Sequence, residues 1–145
     1  LAVLAALSPP SVAQASRNLY VSNFDTASAS GFDISTDGSL TALGSSPFAT
    51  GNAPQGVAIS PDGEHLYVTN SKAALGDTYN NVSAYAVAAD GNLTPVATPM
   101  ATGGNTPTGV AASPDGKHLY VTNTHSNNVS AFEIAAPTAL AMTLH

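Results

Sequence analysis

From about Asn18 onward the chain is a series of short apolar runs broken by Gly, Pro, Asn and Asp. Val57–Ser60, His65–Thr69, Val82–Val87 and Leu93–Ala97 are four to six residues long, the length of strands rather than helices. Tyr, Val and Thr recur in them, residues that suit a pleated, half-buried surface. Ser60-Pro61-Asp62-Gly63 puts Pro, Asp and Gly where a type I turn favours each of them, and Asp37-Gly38 and Asp90-Gly91 carry a hairpin signal. After the first fifteen residues no window of eleven or more shows helical periodicity. The pattern predicts short antiparallel strands and no interior helix.

The runs repeat. Leu19-Tyr-Val-Ser-Asn23 returns 47 residues later as Leu66-Tyr-Val-Thr-Asn70, and 53 residues after that as Leu119-Tyr-Val-Thr-Asn123. Gly56-Val-Ala-Ile-Ser-Pro-Asp-Gly63 is matched by Gly109-Val-Ala-Ala-Ser-Pro-Asp-Gly116, and Asn80-Asn-Val-Ser-Ala-Tyr85 by Asn127-Asn-Val-Ser-Ala-Phe132. The difference in spacing falls in one place, a longer loop over Ser71–Tyr79. Four antiparallel strands in about 47 residues make one blade of a β-propeller, in which radial stacking leaves only short edges. Val82-Ser-Ala-Tyr-Ala-Val87 does not alternate apolar with polar, as expected of a strand covered on both faces, and its small residues permit close approach. A two-sheet sandwich would not explain a repeat that extends to the loops. The expectation is an all-β chain of about 2.75 blades and eleven strands: three strands lacking an inner one over 17–43, a full blade over 56–97, and another over 109–144.

Composition narrows the function. The 145 residues carry a net charge of −6, only 8% are charged, and 43% are apolar, which suits a chain with a buried core. Arg17, Lys72 and Lys117 are its only permanent cations, too few and too scattered to track nucleic-acid phosphates. No apolar run is long enough to span a membrane as a helix, and with no cysteine there is neither disulfide nor thiolate chemistry. No metal site is expected, because neither H-x-x-x-H nor an Asp-x-Asp-x-Asp-Gly loop is present, and no cofactor motif stands out. Leu1–Leu7, followed by Ser8-Pro9-Pro10 and Val12-Ala13-Gln14-Ala15, reads as the remnant of a secretory signal peptide over 1–15, without its charged start or initiating Met. The expectation is export to the periplasm or the exterior. N-terminal sequencing of the mature protein should begin at Ser16, and a retained Leu1 would count against export.

At Ser-Pro-Asp-Gly-(Glu/Lys)-His-Leu-Tyr-Val-Thr-Asn the sequence resembles the YVTN-type propeller repeat. With Asn-Asn-Val-Ser-Ala-(Tyr/Phe) and Asp-Gly-(Asn/Ser)-Leu-Thr it is most similar to the β-propeller lactonase family, which includes 6-phosphogluconolactonase-like proteins. The resemblance covers residues 17–145 and implies a ring of seven blades. On that basis the chain reads as an N-terminal fragment whose remaining blades lie past His145, self-association being the other way to close a ring. These turn and strand motifs occur in every blade, so they mark the fold more than the activity.

In propellers of this type, the loops from second to third strand and from outer strand to the next blade line one face of the channel. Here those are Asn23–Ser30, Asn70–Asn81, Asn123–Asn128, Ser45–Gln55 and Pro99–Thr108. His65 and His118, and the aspartates 37, 62, 90 and 115, fall at the opposite turns and read as structural. Tyr20, Tyr67 and Tyr120 share one repeat position and read as core. His125 has no counterpart in the other repeats, and a histidine there could act as a general base on water attacking an ester carbonyl. An exposed loop histidine without a role is the plainer alternative. Lys72 and Asp77 could approach it across a blade boundary, and Asn70, Asn123 and Asn105 complete the candidate substrate-binding set, although strand-end asparagines also serve as loop ties. The resemblance implies hydrolysis of a sugar lactone, with a small-molecule lactone as partner; these few residues alone would be inactive. With so few cations a phosphorylated substrate is disfavoured. The alternative is a non-catalytic exported scaffold presenting Asn-, Ser- and Thr-rich loops to a surface partner.

Overall fold

A computed structural model describes residues 17–71, 80–96, 98–134 and 142–144. Three antiparallel sheets follow one another along the chain. The first contains β1 (Asn18–Asn23), β2 (Ser28–Ile34), β3 (Leu40–Ala42) and β4 (Phe48–Ala49). The second contains β5 (Pro54–Ile59), β6 (His65–Asn70), β7 (Asn81–Val87), β8 (Leu93–Pro95) and β9 (Met100–Ala101). The third contains β10 (Pro107–Ala112), β11 (His118–Asn123), β12 (Asn128–Ile134) and β13 (Met142–Leu144). The only helical element among the described residues is a single 3₁₀ turn over Phe24–Thr26. This is the all-β succession of propeller blades expected from the repeat.

Two details differ from the sequence reading. The outer strand of the first two blades is split: β3 and β4 both pair with β2, and β8 and β9 both pair with β7. Prolines 47, 95 and 99 lie at or between the halves, and proline cannot donate to a ladder. The inner strands also begin earlier than the repeat suggests, because Pro54 pairs with Asn70 and Pro107 with Asn123 before a bulge shifts the register.

At one end of each blade sit the tight turns. The Asp62 and Asp115 carboxylates accept from the Ser60 and Ser113 hydroxyls and from the Glu64 and Lys117 N–H groups, and these bonds hold both carboxyls below the usual range. Gly63 and Gly116 close these turns at φ of 77° and 70°, the left-handed region that glycine enters without a steric penalty.

The core lies between blades. Tyr20, Leu43, Phe48, Leu66, Val68 and Tyr85 fill the first joint, and Tyr67, Val82, Ala84, Leu119, Val121 and Phe132 fill the second. Successive residues of β6 therefore face opposite neighbours, as the period of a strand requires. Tyr120 departs from the core role read for its position. It is 44% exposed, because among the described residues no further sheet packs on that face of β11.

A hydroxyl stitches each joint. Thr69 Oγ1 accepts from Gly56 N–H at 2.8 Å inside its own blade and donates to the Thr108 carbonyl of the next at 3.1 Å. Ser22 Oγ likewise donates to the Gln55 carbonyl at 2.6 Å, and Thr122 Oγ1 accepts from Gly109 N–H at 2.9 Å.

Two buried tyrosines give a stability prediction. The Tyr20 hydroxyl donates to the Gly91 carbonyl at 2.6 Å, whereas the hydroxyl of the fully buried Tyr67 has no hydrogen-bond partner. Tyr20→Phe should cost about 1 kcal/mol, while Tyr67→Phe should be neutral or stabilising, since it removes an unpaired polar atom. Burial first, and then Asp90 and Asp62 respectively, push both phenols up to about 12. An acid whose folded value is raised stabilises fully below its unfolded value near 10 and loses that contribution as pH rises toward 12. Chemical denaturation at neutral pH and above pH 10 should therefore show Tyr67→Phe gaining on the parent in alkali.

Candidate functional site

The end of the blades opposite the tight turns is made of long loops, and its geometry begins at the last residue of β1, β6 and β11. Asn70 is fully buried, and its amide donates to Asn81 Oδ1 and Ser83 Oγ, both at 2.8 Å. Asn123 repeats the arrangement with Asn128 Oδ1 at 2.9 Å and Ser130 Oγ at 2.7 Å, and Asn23 reaches Ser28 and Ser30. Gly51 and Gly104 close over these amides. A Cβ on Gly51 would lie 2.6 Å from Asn70 Cγ, and one on Gly104 2.4 Å from Asn123 Cγ. As placed, Asn70 and Asn123 underpin the loop face and are covered from solvent. The strand-end tie is the role their geometry performs.

Above this layer the loops are bound to one another by main chain. Thr50 N–H donates to Ala27 O, Ser71 N–H to Ala53 O, Thr102 N–H to Asn80 O and Thr124 N–H to Thr106 O, at 2.9–3.0 Å. Each connector between blades is thereby fastened to the second-to-third-strand loop beside it. Ala53 and Thr106 occupy equivalent left-handed positions, at φ of 48° and 57°, immediately before Pro54 and Pro107.

Between the second and third blades this fastening gathers a polar cluster. Asn80 accepts from the Thr106 N–H and donates to Asn105 Oδ1, both at 3.2 Å. Asn105 N–H donates to Ser126 Oγ at 2.8 Å, and His125 N–H donates to the Asn105 carbonyl at 3.2 Å. His125 and Asn105 are exposed. Of the residues singled out in the sequence, the structure brings these two together and puts Asn70 and Asn123 beneath the surface. Lys72 and Asp77 lie outside the described residues. Sequence reasoning missed Asn80 and Ser126 as members of the cluster. Asn80 was legible only as the repeat partner of Asn127, and Ser126 only as a neighbour of His125.

Chemically, the cluster offers exposed amides and hydroxyls for hydroxyl recognition beside one imidazole able to carry a proton. Among the described residues no group of three or more His, Cys, Asp or Glu could hold a metal ion. No helix among them is long and apolar enough to cross a membrane. Arg17 and Lys117 stand at the turn end, away from this face: the Arg17 carbonyl accepts from Ile34 N–H at the far end of β2, and Lys117 lies in the Ser113–His118 turn.

Blades of this construction, with channel-face loops tied in this way, define a β-propeller. The profile of the lactonase family of seven-bladed β-propellers matches residues 43–143, and the chain belongs to that family. Among solved structures it is similar to a provisionally assigned 6-phosphogluconolactonase from Bacteroides fragilis, at 26% identity and a TM-score of 0.74, with 88% of this chain and 34% of that one covered. A second such protein, from Bacteroides uniformis, aligns at 21% identity and a TM-score of 0.75 over 88% and 36% of the two chains. The periplasmic gluconolactonase of Pseudomonas aeruginosa aligns at 24% identity and a TM-score of 0.73 over 89% and 36%. The chain thus spans about a third of the length of these structures. No curated protein matches it significantly.

Proposed function

We propose that this propeller belongs to an exported lactone hydrolase acting on a neutral sugar lactone, with His125 as general base. The observation that carries the reading is the exposed His125 on the loop face of a lactonase-family propeller, its main chain fixed to Asn105. In the reaction the imidazole takes a proton from water as the water oxygen bonds to the ester carbonyl carbon. The tetrahedral oxyanion then collapses, the ring C–O bond breaks, and the leaving alkoxide takes a proton to give the open hydroxy acid. Asn105 and Asn80 lie where amides could hold sugar hydroxyls and orient the ring.

Charge supports the neutral substrate. Both described cations stand at the turn end, and recognition of a phosphate calls for cationic donors on the face that binds it. Full-length protein should hydrolyse gluconolactone with a kcat/KM at least roughly tenfold above that for its 6-phosphorylated form, about 1.4 kcal/mol of discrimination. A preference for the phosphorylated lactone would reverse the substrate assignment. No turnover of either would favour a second reading, a scaffold that presents Asn80, Asn105, Thr106, Thr124 and Ser126 to a partner as an array of neutral hydrogen-bonding groups.

A further inference from the structure

Asn105 is held at every polar group but one. Its N–H donates to Ser126 Oγ at 2.8 Å, its carbonyl accepts from His125 N–H at 3.2 Å, and its Oδ1 accepts from Asn80 Nδ2 at 3.2 Å. Among the described residues only its Nδ2 is without a partner, and the residue is exposed. An asparagine amide can ordinarily turn end for end and offer a donor or an acceptor as a ligand requires. Here the orientation is dictated by a main-chain group. Thr106 N–H can only donate, so the Asn80 atom it meets at 3.2 Å is Oδ1. The other end of Asn80 is then a donor, and the Asn105 atom facing it has to be Oδ1. What Asn105 leaves for a ligand is an NH2 group, which donates and cannot accept.

The corresponding connector between the first and second blades is built without this clamp. Asn52 precedes Ala53 and Pro54 as Asn105 precedes Thr106 and Pro107, and it too is exposed. Where the Asn80 carbonyl accepts from Thr102 N–H, the Ala27 carbonyl accepts from Thr50 N–H, and alanine has no amide with which to orient Asn52. The clamped connector also carries backbone strain. Thr106 is β-branched and sits at φ of 57°, a left-handed conformation that such residues rarely enter. Conformations of this kind persist where the surroundings over-determine them, and they gather at ligand sites. Here Asn80 Oδ1 holds the Thr106 N–H, and Thr124 holds its carbonyl through N–H at 3.0 Å and Oγ1 at 3.1 Å.

We infer that Asn105 is the hydrogen-bond donor to the ester carbonyl oxygen of the lactone, and that Asn80 is the residue that positions it; the inference rests on the hydrolase reading given above. As water bonds to the carbonyl carbon, the C=O π pair moves onto the oxygen. A fixed N–H meets that charge without reorganising. When the pair returns and the ring C–O bond breaks, the same N–H is left on a carboxylate oxygen of the open acid. A donor-only group suits both states, because a carbonyl and a carboxylate oxygen only accept. Sugar hydroxyls donate as well as accept, so they would not need the amide fixed.

The test uses full-length protein and isosteric variants. Asn105→Asp replaces the donor with an acceptor. Asn80→Asp keeps an acceptor for Thr106 N–H but turns an oxygen toward Asn105, whose amide then swings its NH2 inward and its Oδ1 outward. Asn52→Asp is the control. With gluconolactone, Asn105→Asp should lower kcat by about 10²-fold and Asn80→Asp by about tenfold or more. Both should keep KM within about threefold of the parent, because the bond strengthens only in the transition state. Asn52→Asp should leave kcat and KM unchanged. Thermal melting checks that each variant is folded, and Asn105→Asp, at an exposed position, decides alone if Asn80→Asp is not. Calorimetric titration with gluconate needs no turnover, and both site variants should bind it about tenfold more weakly than the parent. If the parent fails to hydrolyse the lactone yet loses gluconate affinity in these two variants alone, the hydrolase reading falls and the donor role of Asn105 stands. Three results would overturn that role: a kcat in Asn105→Asp equal to the control's, a raised KM with kcat unchanged, or, in a protein without turnover, gluconate binding that is absent at millimolar concentration or indifferent to both substitutions.

Discussion

Gly56→Ala should destabilise the fold by about 3 kcal/mol, lowering Tm by roughly 10 °C. The added Cβ would stand 2.3 Å from the Thr108 carbonyl oxygen and 3.1 Å from Thr69 Oγ1. The first of these is main chain in the neighbouring blade, so relief requires the two sheets to separate. Separation stretches the Thr69 bond to Thr108 and loosens the packing of Val82, Leu119, Val121 and Phe132. Gly44→Ala is the control, because nothing lies within 4 Å of its Cβ position; it should be neutral or slightly stabilising through the unfolded chain. Thermal and urea denaturation of the two variants decide the matter. Equal stability would show that the joint between the second and third blades tolerates a wider spacing than the structure has.

His125→Ala in the full-length protein should lower kcat/KM for the neutral lactone by about 10²-fold, the lower end of what a general base contributes. Stability should barely change, since the side chain is exposed and the bond that fixes this loop runs from its main-chain N–H to Asn105 O. Asn70→Ala separates position from chemistry. It empties a buried site and strips Asn81 and Ser83 of a donor, so it should lower Tm and activity together. An unchanged kcat/KM in His125→Ala would remove the residue from the mechanism.

The blades were legible because repetition and turn chemistry act locally: Ser-Pro-Asp-Gly folds on itself whatever surrounds it. The split outer strands were not, because whether Leu93–Ala97 stays in register depends on how Pro95 and Pro99 meet β7. Tyr120 shows the same limit from another side. It shares a repeat position with Tyr20 and Tyr67, yet its burial is decided by the sheet that packs on it. For Asn70 and Asn123 the residue type and loop position fit a ligand contact as well as a tie. What turns both inward is the serine two residues further along the next strand and the glycine above, Ser83 with Gly51 and Ser130 with Gly104. That triple co-occurrence was present in the repeats and could have been used. The cluster of Asn80, Asn105 and Ser126 joins residues from two blades through main-chain fastening, which no local pattern encodes.

The serine or threonine hydroxyl at each joint has a direction. At the joint between the second and third blades Thr69 Oγ1 accepts a hydrogen bond from Gly56 N–H behind it and donates one to the Thr108 carbonyl ahead. A blade turned back to front would set donor against donor along that line. That joint therefore has a polarity, and the forward bond from Ser22 Oγ to the Gln55 carbonyl at the preceding joint runs in the same direction along the chain. Lengthening such a protein by duplicating one repeat asks for no new joint chemistry, which is a physical reason for the near-identity of Gly56–Asn70 and Gly109–Asn123.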